Sequence, residues 1–154
     1  MLPGRSVQRV LGRLVLVGAF LGSLPLCANA NSYSDAVDRA LRMLPRQPQK
    51  IVIVERPTAP DQHAGKPRAE AFINRGEPTV YLVRQGATLQ EALKGPGIFD
   101  FALAAIIWHE MAHIDGGDET KAQRAEEQLW REFILGGRVD RTRGMQYLAL
   151  LHRR

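Results

Sequence analysis

The stretch FDFALAAIIWHEMAHIDGGDE, residues 99–119, decides how this chain is read. From Phe99 to Trp108 it is apolar almost all round, the mark of a helix buried on every side. The helix is expected to run from about Asp100, a good N-cap, to Ile114 or Asp115. Gly116-Gly117 ends it, one of the pair in the left-handed conformation, and Asp118 caps a following helix, Glu119 to Leu135. Near the end of the buried helix stand His109-Glu110-Met111-Ala112-His113. Residues four apart share a helical face, so the two imidazoles can ligate one metal ion. Glu110 is close enough to reach a water held on that ion. Histidines on an ordinary helix surface share this spacing, but a buried helix makes His and Glu costly without partners, and a metal is such a partner.

A catalytic zinc takes three protein ligands and keeps one open position. Four acids follow the double glycine: Asp118, Glu119, Glu126 and Glu127. A tight turn there folds the second helix back on the first, so its opening turn lies nearest the metal. Glu119 is in that turn, with Ala122, Gln123 and Glu126 on the same side. Ala122 is small enough to let the helices approach. Glu119 is the expected third ligand, with Asp118 and Glu126 as alternatives. A first-turn acid is also favoured by the helix dipole with no metal at all.

The chain has 154 residues and a formal net charge of +5. Residues 1–30 read as a signal peptide: Arg5, Arg9 and Arg13, then the apolar run Leu14 to Leu26, then Ala28-Asn29-Ala30. Cleavage is expected after Ala30. The apolar run is short for a bilayer span, so no stable membrane insertion is expected after cleavage. Location would be secreted or periplasmic. The segment holds three Arg and no acid, so its loss takes the charge from +5 to +2. The single cysteine, Cys27, lies in it as well. Bulky Leu26 before Cys27 argues against lipid attachment, and residues 31–154 have no disulfide and no thiolate ligand. No basic stripe interleaved with aromatics is present, which excludes nucleic acid as a partner.

Residues 31–154 are expected to form one domain. Ser34 to Leu44 has helical spacing, with Ser34 as N-cap and Pro45 as stop. Lys50 to Glu55 reads as a strand, Arg56 to Arg68 as a loop, and Ala69 to Ile73 with Thr79 to Arg84 as a hairpin. Ala87 to Lys94 is a short helix before Gly95-Pro96-Gly97. A last helix covers roughly Asp140 to His152, with Met145, Leu148 and Leu151 on its inner face. The class is α+β: a small antiparallel or mixed sheet, then the histidine-bearing helix and the glutamate-bearing helix. The sequence says nothing about oligomeric state.

His109-Glu110-Met111-Ala112-His113 and Glu119-Thr120-Lys121-Ala122-Gln123 together resemble the gluzincin metallopeptidases, especially the minimal one-domain kind. The resemblance spans roughly the second strand pair through the Glu119 helix. It implies a zincin-like domain in which His109, His113 and Glu119 bind zinc. Glu110 is then the general base for a metal-activated water, and the substrate is a peptide or protein. It also implies an edge strand before the active helix, here Thr79 to Arg84, that holds substrate in extended form. One departure is Gln123, where the family often has Asp or Asn braced against the site. Within the same clan, His109 to Glu119 can be written as a metzincin motif with Gly144-Met145-Gln146-Tyr147 as its Met-turn. Metzincins place His or Asp at the last ligand position, however, and Met145 fits the core face of an amphipathic helix. Tyr147, Tyr81, His63 and Arg143 are candidate oxyanion donors. A non-catalytic metal-binding or regulatory domain is the other reading of the motif, and the intact Glu110 favours the enzyme.

Overall fold

The computed structural model describes residues 32–55 and 70–151. The expected leader at 1–30, the loop at 56–68 with His63, and the end from His152 lie outside the described residues. The elements are α1 (Tyr33–Leu41), β1 (Lys50–Val54), β2 (Ala71–Ile73), β3 (Thr79–Val83), α2 (Ala87–Ala92), α3 (Ile98–Ile114), α4 (Glu119–Leu135) and α5 (Arg141–Leu151). The class is α+β as expected. No described helix is long and apolar enough to cross a membrane.

The sheet is mixed, in the order β1-β3-β2. β1 runs parallel to β3, from Lys50 opposite Thr79 to Val54 opposite Val83. β2 runs antiparallel to β3, with Phe72 opposite Tyr81, and their rings stack at 5.0 Å. The connection turns through Gly76 at φ 84°, a conformation that favours glycine. β3 is therefore the central strand, which corrects the expectation that Thr79 to Arg84 forms an edge. The reason is tertiary: β1 docks in parallel on its other side, and with both neighbours in place Val80 and Leu82 are fully buried. Among the described residues the edges are β1 and β2.

α3 is the centre of the core. Ala102 to Ile107 are all buried, and the helix packs against α1, α2, α4, β2 and β3. It starts at Ile98, so Asp100 is not its N-cap but its third residue. From there the carboxylate accepts the Gly97 N–H at 2.9 Å through Oδ2 and the Arg39 Nε at 3.0 Å through Oδ1. Arg39 also donates to the Ala92 carbonyl at 2.6 Å. One guanidinium thus ties α1, the end of α2 and the start of α3 together. α1 begins two residues before the expected site, because Ser32 rather than Ser34 is its cap. Ser32 Oγ accepts the Asp35 N–H at 3.1 Å and Asp35 returns a bond to the Ser32 N–H at 3.0 Å.

α5 packs on α4 through a close approach at Gly144. A Cβ there would stand 2.5 Å from the Ile134 Cγ1, and the Gly144 carbonyl accepts the Trp130 indole N–H at 2.8 Å. Leu148 is buried in this contact, but Met145 is 50% exposed. The expectation of Met145 as a core residue is corrected: the close helix approach uses the glycine before it.

Asp100 is 2% exposed, so removing its cation leaves a buried charge unpaired. Arg39→Ala should lower stability by about 3 kcal/mol, read as a shift of the urea midpoint at unchanged slope.

Candidate metal centre

α3 brings His109 and His113 to one face near its end, with ring centroids 5.0 Å apart. The turn that follows closes the third side. Asp115 ends α3, Gly116 takes φ +83°, and its N–H returns to the His113 carbonyl at 2.9 Å. The Gly117 N–H returns to the Ala112 carbonyl at 2.9 Å, completing a Schellman stop. A Cβ at 117 would meet that carbonyl oxygen at 2.7 Å, so the second position needs glycine for space as the first needs it for φ. Asp118 then caps α4 by accepting the Lys121 N–H at 2.8 Å. Ala122 is fully buried between the helices, which allows α4 to run close against α3.

The outcome is that Glu119 faces both histidines. Its Oε1 lies 3.8 Å from the His109 Nε2 and its Oε2 lies 3.4 Å from the His113 Nε2. One ligand atom from each of the three residues falls within 4.8 Å of the others. The cluster is of the kind that can hold a metal ion. Donors placed about 2 Å from a tetrahedral ion stand roughly 3.4 Å apart, so small closure suffices. The far nitrogens support the same fit. His109 Nδ1 is 3.0 Å from the Glu126 Oε2, and His113 Nδ1 is 3.0 Å from the Gly117 carbonyl. With each Nδ1 donating to an oxygen, each Nε2 is left as the acceptor lone pair a metal requires. Glu119 is held in turn by Gln123, whose amide donates to Oε1 at 3.0 Å. Gln123 thus makes a bracing contact with the Glu119 carboxylate.

The electrostatics are those of a site short of positive charge. Burial works to lower the pKa of His109, but its hydrogen bond to Glu126 and the charges of Glu110, Glu126 and Glu119 outweigh this and raise it. Glu110 is 9% exposed. Burial pushes its carboxyl up to about 7, with His109 pulling down and Glu119 and Glu126 pushing up. A cation held among these groups relieves the crowding of carboxylates.

The remaining sequence candidates fall elsewhere. Asp118 is spent on its cap, and Glu127 pairs with Arg131 on the outer side of α4. Glu126 lies outside the cluster of His109, His113 and Glu119, with its carboxylate on the His109 Nδ1. The Tyr81 hydroxyl donates to Glu77 at 2.7 Å in the hairpin turn. Arg143 lines a shallow groove with Ile98 and Phe101 at the start of α3, eleven residues and about 16 Å of helix from His109. Tyr147 donates to the Glu126 Oε1 at 3.0 Å. Gly144 to Tyr147 form part of a regular helix with Met145 exposed, so they make no Met-turn. Sequence reading missed two supports, the Gly117 carbonyl and the Glu126–Tyr147 pair. The recurrence of acids at 119 and 126, two turns apart, was the available signal for the second. No known protein family, curated protein or solved structure matches this chain.

A carboxyl whose folded pKa is raised from 4.5 to about 7 binds more protons folded than unfolded between those values. Stability of the metal-free protein should therefore fall as pH rises through that window. Glu110→Gln removes this dependence. In chelator, the variant should gain on the order of 3 kcal/mol over wild type at pH 8 relative to pH 4, seen in paired denaturation curves.

Proposed function

We propose that this chain is an exported zinc-dependent peptidase of the gluzincin type, with His109, His113 and Glu119 as metal ligands and Glu110 as general base. The observation that carries the reading is the convergence of two imidazole nitrogens and one carboxylate beside a further, buried carboxylate. A domain that only bound metal has no use for Glu110 at a burial cost. Two nitrogens and an oxygen, with no thiolate in residues 31–154, suit zinc. The ion's part is Lewis acidity, which brings a water's pKa towards neutrality and polarises a carbonyl.

The chain's own residues do the rest. Glu110, buried beside His109 at the end of α3, accepts a proton from water on a carboxylate oxygen and returns it to the departing amine. Its burial keeps bulk water from competing for that proton. Gln123 keeps the Glu119 carboxylate turned to the histidines. Glu119 itself has a side chain 39% exposed, so the cluster opens to solvent on the α4 side and admits a substrate there.

The substrate strand is β2 rather than β3. The Val83 N–H donates to the Glu70 carbonyl at 2.9 Å, which makes Glu70 and Val83 a hydrogen-bonded pair. Alternation along the antiparallel ladder turns the N–H and C=O groups of Ala71 and Ile73 away from β3. Among the described residues they form an open edge of the sheet, on a strand that α3 packs against. An extended peptide pairs with that edge through its main chain, with little demand on side chains. The export assignment rests on the leader-like sequence of residues 1–30.

Glu110→Gln should keep equimolar zinc, measured by elemental mass spectrometry, and lose about 10²- to 10⁴-fold in kcat on a general peptide mixture. Normal turnover by the zinc-loaded variant would falsify the assignment of the base, and a wild-type protein free of zinc after equimolar supply removes the catalytic reading. Ala71→Pro deletes an outward N–H without touching the ladder to β3. It should raise KM about tenfold with a smaller change in kcat, and lower the melting temperature somewhat because Ala71 is buried. An unaltered KM in the folded variant rules out pairing at β2.

A further inference from the structure

We infer that Glu126, held in place by Tyr147, is the positioning residue of the metal centre, and that the last described helix sets metal affinity through this pair. The inference rests on the metal-site reading above and adds to it where the support of His109 comes from.

Glu126 is 4% exposed, and a carboxylate so buried costs several kcal/mol unless both oxygens find donors. Both do. Oε2 takes the His109 Nδ1 at 3.0 Å and Oε1 takes the Tyr147 hydroxyl at 3.0 Å. Glu126 stands seven residues after Glu119, two turns along the same face of α4. One side of one helix thus supplies a ligand directly and the support of another ligand. The two histidines are treated unequally. His113 is oriented by a neutral carbonyl at Gly117, whereas His109 is oriented by a full negative charge. A carboxylate on Nδ1 fixes the tautomer and makes Nε2 the stronger donor to a metal.

Tyr147 is itself tightly placed. Its ring stacks on Trp130 at 4.0 Å, and Trp130 is fully buried with its indole N–H bonded to the Gly144 carbonyl. The tyrosine therefore reports the seating of α5 on α4, and its hydroxyl passes that seating to Glu126. Without this bond, Oε1 loses a donor and the carboxylate is free to rotate away from His109.

The test uses the full mature chain and Co²⁺ and Zn²⁺, titrated against a chromophoric chelator. Glu126→Gln should weaken both ions by about 10- to 100-fold, the range known for loss of such supports, and change the visible spectrum of the cobalt form. Tyr147→Phe should weaken them severalfold with circular dichroism unchanged. The double variant should bind no more weakly than Glu126→Gln alone, because the tyrosine acts through the glutamate. Wild-type affinity in both folded single variants overturns the positioning role and leaves the metal-site reading standing. Additive losses in the double variant overturn the route through Glu126. A wild-type chain that binds neither ion overturns the metal-site reading and this inference with it.

Discussion

The candidate centre depends on α3 being buried on nearly every side. An apolar helix of this kind has no solvent face on which to place a polar group cheaply. His109, Glu110 and His113 ride into the interior on a helix whose burial is secured by its alanines, isoleucines and leucine. The two histidines are answered by Glu126 from α4 and by the Gly117 carbonyl, whereas at Glu110 burial prevails and pushes the carboxyl up to about 7. The helix start is stabilised by the same logic, with buried Asp100 answered by Arg39 from α1 and by the Gly97 N–H.

Two helices are brought into register by the short turn between Ile114 and Glu119. The Schellman stop at Gly116-Gly117 reverses the chain in the least space a helix allows, and the Asp118 cap starts α4 at once. The turn does more than connect. The Gly117 carbonyl is also the partner of His113, so chain reversal and the orientation of that imidazole are one event. Ala122 then sets the distance between helix axes, which lets a carboxylate as short as Glu119 reach both imidazoles. A larger residue there would part the helices and open the cluster.

Support of the centre extends outward in steps of decreasing polarity. Glu126 and Gln123 touch His109 and Glu119, Tyr147 touches Glu126, and the Trp130 ring fixes Tyr147. Each step trades charge for packing, until a glycine contact between α4 and α5 ends the chain of contacts at Ile134. Exposed Met145 beside that contact shows how strongly the close approach governs the helix orientation. The hydrophobic spacing of α5 alone turns the methionine inward, whereas docking on Gly144 turns it out.

Local chemistry made much of this readable in sequence. Apolar composition around His109, the double glycine, the cap at Asp118 and the acid at Glu119 each act within a turn or two. The positions of α3, α4 and the cluster between them followed from those residues by themselves. Helix caps shifted by two residues to Ser32 and by three to Gly97, where Asp100 bonds back to the cap N–H from the third helical position. What tertiary structure alone decided were contacts between residues distant in the chain. Whether β3 is central or at the edge depends on β1 docking from across a long connection, which no pattern within β3 states. Likewise, an acid two turns into α4 reads equally well as ligand or surface charge. Only the packing of three helices shows Glu126 behind His109 with Tyr147 on its other oxygen, because hydrogen bonds of 3.0 Å are set by the distance between helix axes and not by the sequence of any one helix.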